Sequence, residues 1–221
     1  MRRSLATAWI AVATASLSVV AWAQQPAPMP APAVASVEAV NDEVSKQASA
    51  LEAELGKYKD NSSEAAEVMV KLVDLYHKEG RLFGLVRVGQ SFVTAHVGDA
   101  RHQAVMLKLI DGLEALSRNK EMSSTCRQFL ARYPQSPQVA DIEIRLAAAL
   151  GQMDDRKASA EAYRAVWNRQ GPNEIGRKHG VQAVNFFNSI NNGESTTAAA
   201  TLGEEMLDKL PAGEFAKQVG Y

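Results

Sequence analysis

Arg81, Arg87, Arg101 and His102 crowd four cationic or cation-forming side chains into one short stretch, with Tyr76 before them and Gln103 after. Guanidinium and imidazolium groups make charge-assisted hydrogen bonds to carboxylates, and a phenol or an amide adds neutral ones. Gathered in one groove, these six residues would hold an acidic side chain or the carboxylate end of a peptide. The other chemistry-bearing residues point away from catalysis. The histidines are His77, His96, His102 and His179, and none has a histidine or cysteine three or four residues away, the interval of a helical metal site. His77 and His179 stand beside Lys78 and Lys178, which reads as a solvated face. Cys126 has Arg127 as a neighbour, whose charge favours a thiolate, but its helical setting reads as half-buried packing. Asp154-Asp155 and Glu204-Glu205 are adjacent pairs whose side chains leave a helix on different sides, so they read as helix-start charge and an exposed face. Gly84, Gly89 and Gly98 follow no strand and cradle no phosphate, and no serine lies in a nucleophile elbow. The expectation is no enzyme, no metal and no cofactor.

Positioning such residues falls to the elements around them, and composition narrows what those are. The chain has 221 residues, 24 basic and 25 acidic, for a net charge of −1. That balance draws it neither to nucleic acid nor to an anionic membrane surface. A single cysteine excludes an intramolecular disulfide. Abundant alanine and 6% aromatics suit close helix–helix contacts.

The first 23 residues have the order of an export signal. Arg2 and Arg3 are followed by the uncharged run Leu5 to Val20, and Ala21-Trp22-Ala23 closes it with small residues. Cleavage after Ala23 would leave no membrane span and place the protein in the periplasm or otherwise outside the cytoplasm. Residues 24–35 alternate proline with alanine, an extended spacer. Residues 36–59 predict a helix in which Val37, Val44, Leu51 and Tyr58 recur every seven residues, half of a coiled-coil seam. Docking on the helical array C-terminal to it is the favoured reading, with weak self-association through 36–59 as the alternative.

Residues 62–210 read as helix after helix. Asn61 with Glu64 predicts a cap for a helix carrying Val68, Met69, Leu72 and Tyr76, which Gly80 ends. Further helices are predicted from Arg81 to His96, after Gly98-Asp99, from Lys120 to Arg132, from Ser136-Pro137, from Asp154 to Gln170, from Pro172 to Asn191 and from Ser195 to Leu210. No segment reads as a strand. A period of 34 aligns Thr125 with Ser159 and Phe129 with Tyr163, and brings the turns at Arg118-Asn119-Lys120 and Met153-Asp154-Asp155 together.

The segment Phe129-Leu130-Ala131-Arg132-Tyr133-Pro134-Gln135-Ser136-Pro137, followed by Ala140, Leu146 and Ala147, resembles the tetratricopeptide repeat family, in particular its exported bacterial branch. The likeness covers residues 62–210. It departs from the family pattern in lacking a tryptophan early in each first helix and in having Thr125 or Ser159 at the small position. The resemblance implies an all-α fold of antiparallel hairpins stacked as a short solenoid, with first helices forming an inner surface. It also implies proteins of envelope assembly and cell division, one type of which sets a coiled coil ahead of its repeats. In some relatives, basic clamps in the groove bind acidic peptide ends.

The expected function is therefore an exported, non-catalytic adaptor that binds a protein or peptide of the cell envelope. Two alternatives stand beside it. The array could be the accessory half of a catalytic system such as a thioredoxin-like one, since residues 211–221 read as a helix that starts at Ala212 and is still running at Gly220-Tyr221. Or it could be a homo-oligomer assembled through residues 36–59.

Overall fold

The computed structural model describes residues 34–209, with side chains from Asn41 onward. The 1–23 leader, nearly all of the 24–35 spacer and the 211–221 helix lie outside the described residues. The chain divides after Val40 into two compact units. Of the first, the described part is the opening of helix α1, Val34–Leu55.

From Asn41 on, the described elements are the remainder of α1, then α2 (Ser63–Lys78), α3 (Leu82–Ala95), α4 (His102–Ala115), α5 (Asn119–Arg132), α6 (Val139–Gln152), α7 (Arg156–Gln170), α8 (Glu174–Ile190) and α9 (Gly193–Lys209). Each of α2 to α9 packs on the next in sequence order. The fold is all-α, with hairpins α2/α3, α4/α5, α6/α7 and α8/α9 stacked as a short α-solenoid.

The hairpin turns set the repeat. Gly80, Ser117, Asp154 and Asn191 have φ of 65°, 53°, 59° and 53°, the left-handed region, and succeed one another at 37 residues. In the first three turns the next amide, of Arg81, Arg118 or Asp155, donates to the carbonyl five residues back, on Tyr76, Leu113 or Leu150, at 2.8, 2.9 and 3.0 Å. That is a Schellman closure, which satisfies carbonyls orphaned at the helix end. The period is thus 37 and not 34. Thr125 matches Ala162, Ser159 matches Met122, Phe129 matches Val166, and Leu116-Ser117-Arg118 is the turn equivalent to Met153-Asp154-Asp155. With helices of 14 residues, the added length lies in the loops His96–Arg101 and Tyr133–Gln138. Both loops are built alike. The Asp99 and Ser136 amides donate to the His96 and Tyr133 carbonyls at 3.0 Å. The Arg101 and Gln138 amides donate to Asp99 Oδ1 at 2.7 Å and Ser136 Oγ at 3.3 Å. Ser136 therefore closes a loop, and α6 starts after it at Val139. At α2 the cap is Ser62, one residue beyond Asn61, its Oγ accepting from the Ala65 amide at 3.1 Å.

Burial repeats with the same period. In the first helices, Ala65, Val68, Met69, Leu72, Val73 and Tyr76 are buried, as are the residues 37 and 74 later in α4 and α6. In the second helices, Leu85, Val86, Val88, Gly89 and Phe92 match Met122, Ser123, Thr125, Cys126 and Phe129. At about 1.5–3 kcal/mol per fully buried large apolar side chain, each helix contributes on the order of 10 kcal/mol before entropy is subtracted. Helix α1 differs. From Asn41 on, its one buried side chain is Ala48, Val44 and Leu51 are half-buried, and Tyr58 lies exposed beyond the helix end.

Candidate functional site

The six residues expected to share a groove form two separate clusters. Tyr76 and Arg81 stand at the hairpin-turn end of α2, with Arg87 two turns into α3. Arg101, His102 and Gln103 stand at the start of α4, the opposite end of the stack.

The first cluster grips α1. The Tyr76 ring lies against α3 at Gly84, where an added Cβ would come within 2.8 Å of it. Its hydroxyl donates to Glu52 Oε1 at 2.8 Å. Arg87 pairs with the same carboxylate oxygen. Arg81 donates to the Asn41 carbonyl at 3.2 Å and to Ser45 Oγ at 2.9 Å. Burial, then the bond to Glu52, pushes the Tyr76 phenol above its ordinary pKa. Glu52 stands 37 residues before Gly89, a position buried there and again at Cys126 and Tyr163. Glu52 itself is exposed, and Tyr76 and Arg87 give its carboxylate two donors on the side that faces α2 and α3. These residues line no open clamp, because α1 occupies it.

The second cluster holds a loop. Arg101 makes a bidentate contact to Asp99, Nε to Oδ1 at 2.9 Å and Nη2 to Oδ2 at 2.6 Å, and this holds the Asp99 carboxyl at about 2. His102 is buried. Its Nε2 lies 3.0 Å from the Val93 carbonyl, which can only accept, so Nε2 carries the proton and Nδ1 accepts from the Tyr133 hydroxyl at 2.7 Å. Burial holds its pKa below the ordinary histidine value. The Gln103 amide donates to Ser136 Oγ at 3.0 Å. Each of these contacts is made inside the fold.

The residues that do share one partly exposed face were missed at the sequence level. Lys108 of α4 pairs with Asp74 of α2. Arg145 of α6 pairs with Asp111 of α4 at 2.6 Å, and also reaches Glu114 at 3.1 Å and Asp141 at 2.9 Å. Asp74 and Asp111 are 37 apart, as are Lys108 and Arg145, so one ion pair recurs from hairpin to hairpin. His77 Nε2 adds a contact to Asp111 at 3.2 Å. The ladder stops where Ala148 succeeds Asp111 in the period. Each exposed pair contributes at most about 1 kcal/mol, so its worth lies in presenting charges at fixed spacing. The 37-residue recurrence of Lys108 and Arg145 was the available signal.

The remaining candidates are structural. His179 is buried rather than solvated, stacked on Tyr163 at 5.4 Å and 2°, with Nδ1 2.6 Å from Gln182 Oε1. Lys178 misleads because successive helical side chains diverge. His96 is buried, and its Nε2 has no hydrogen-bond partner among the described residues. Tyr133, its counterpart, bonds to the histidine 31 residues earlier, where His96 has Ala65. Cys126 is fully buried, and burial pushes its thiol up to about 12. Asp155 caps α7 by accepting from the Ala158 amide at 3.3 Å. Glu205 is half-buried and accepts from Trp167 Nε1 at 3.2 Å and Lys209 Nζ at 2.7 Å. Among the described residues, no group of three or more His, Cys, Asp or Glu is disposed to hold a metal. No helix among them is long and apolar enough to cross a membrane.

No protein-family model matches the chain, and no curated protein matches it.

Proposed function

We propose that the chain is an exported, non-catalytic helical-repeat adaptor that binds another protein or peptide of the cell envelope along the face shared by α2, α4 and α6. The observation that carries the reading is the ladder of Asp74 with Lys108 and Asp111 with Arg145. A protein segment lying across parallel helices meets alternating charges at a fixed step, which favours stereospecific docking on a prebuilt scaffold. The tetratricopeptide-like junction at Phe129–Pro137 supports the same reading, and the signal-like residues 1–23 support export to the periplasm or another extracytoplasmic space.

The test exchanges the ladder's signs, as Asp111→Arg with Arg145→Asp. The pair between positions 111 and 145 survives the swap, while the new carboxylate at 145 faces Glu114 and Asp141 at a modest cost that the urea midpoint reports. A purely structural ladder therefore predicts unchanged complex formation by the folded variant. An adaptor that reads the ladder loses its partner while keeping its fold.

A further inference from the structure

Helix α1 fills its place in the repeat poorly. Ala48 lies 37 residues before Leu85 and is buried like it, but α1 does not pack on α2 as closely as α3 packs on α4, so it holds the place of a preceding second helix only loosely. The next buried positions of that register are Val86, whose counterpart Ser49 is exposed, and then Val88, Gly89 and Phe92. The counterparts of these last three in α1 are Leu51 and Leu55, both half-buried, and Glu52, which is exposed. The receiving face offers the Tyr76 hydroxyl and the Arg81 and Arg87 guanidiniums, whereas α1 returns a single carboxylate. Among the described residues, the partners of Arg81 are a carbonyl and a hydroxyl. Alongside, a groove of about 530 Å³ opens between Leu55 and Asp60 on one side and Val88, Ser91 and Thr94 on the other.

We infer that the α2–α3 face is a docking site for an acidic amphipathic helix of a partner protein, and that α1 is its resident competitor. The inference rests on the adaptor reading in taking the partner to be a protein, but it concerns a surface apart from the ion-pair ladder. The geometry of α1 specifies the helix. It has a small residue where Ala48 stands, a carboxylate where Glu52 stands, and a second carboxylate where Ser45 stands, opposite Arg81. Positions 45, 48 and 52 share one helix face. Such a helix pairs both guanidiniums with carboxylates, which the described residues of α1 do not. The second pair narrows, by a few-fold, the advantage α1 has from being tethered.

The probes are two labelled peptides covering residues 41–58, one native and one with Ser45→Glu, titrated by fluorescence anisotropy into the full chain and its Glu52→Gln variant. The Ser45→Glu peptide binds saturably and roughly threefold tighter than the native one. Both bind the Glu52→Gln protein more tightly than wild type, because its own α1 occupies the face for less of the time. Arg81→Ala removes the difference between the peptides. Absence of saturable binding to a Glu52→Gln protein of unchanged helicity overturns the inference and makes α1 a fixed cap. So does binding that survives Arg81→Ala combined with Arg87→Ala. Should the Glu52→Gln variant lose helicity, the wild-type titration with the two peptides decides by the same criteria. None of these outcomes bears on partner binding at Asp111 and Arg145, so failure here and failure of the adaptor reading are distinguishable.

Discussion

Glu143 accepts two hydrogen bonds from the Arg169 guanidinium, at 3.1 and 2.8 Å, from a position where the two preceding hairpins bury Met69 and Met106. The residue 26 places on varies with it. Met69 has Ala95, Met106 has Arg132, Glu143 has Arg169, and Gly180 has Met206, whose Cε would lie 2.8 Å from a Cβ on Gly180. The pair is a polar solution to one repeated packing site. Arg169→Ala should cost about 2 kcal/mol, since it strands a buried carboxylate, with a discount because Arg169 is nearly half exposed. Glu143→Met recreates the Met106–Arg132 arrangement and should stay within about 1 kcal/mol of wild type. Urea-denaturation midpoints at unchanged slope check both.

Ser117 bears a left-handed conformation that Gly80 adopts without a Cβ. Ser117→Gly is therefore expected to stabilise the protein by about 0.5–1 kcal/mol, the relief of strain exceeding the entropy of a freer unfolded chain. Gly80→Ala should cost a similar amount. Melting temperatures of the two variants, moving in opposite directions, test the equivalence of the turns.

His102 and His179 are both held below the ordinary value of 6.5 by burial. The unfolded chain then binds protons that the folded one refuses, so their contribution is complete above 6.5 and is lost as pH falls through the lower folded values. Asp99, held at about 2 by Arg101, adds a loss at more acid pH, below the ordinary carboxylate value of 3.8. Thermal melts from pH 8 to 4 should show the first decline beginning near 6.5. His102→Gln combined with His179→Gln should flatten it relative to the starting stability of that variant.

Cys126 should resist thiol reagents in the native protein at pH 8 and react only on unfolding, since burial pushes its pKa to about 12. Labelling that tracks the urea transition agrees with this. Rapid labelling without denaturant would place the thiol at an accessible surface.

The helices were legible because apolar residues such as Val68, Leu72 and Tyr76 recur on one face, and the solenoid could be read from their number and short turns. The period was not, because a glycine marks the first turn alone, while Ser117, Asp154 and Asn191 adopt the same conformation without announcing it. The candidate site was half legible. Tyr76, Arg81 and Arg87 do act together, but their acceptors lie in α1, and Glu52 reads in sequence as one more exposed helical charge. His102 looked like a groove donor because nothing local reveals that Tyr133 and the Val93 carbonyl consume both ring nitrogens.

An adaptor that docks its partner across α2, α4 and α6 must bring that partner close to the exposed residues of these helices. A photo-cross-linking side chain at Lys71 or Ala148, exposed on the first helices, can be compared in expressing cells with one at Ser124 or Gln128, exposed on α5. One common adduct is expected from Lys71 and Ala148, none from Ser124 and Gln128, and that adduct should be lost in the Asp111→Arg, Arg145→Asp double variant. Adducts confined to α5, or an Ala148 adduct indifferent to the charge swap, would contradict docking on this face.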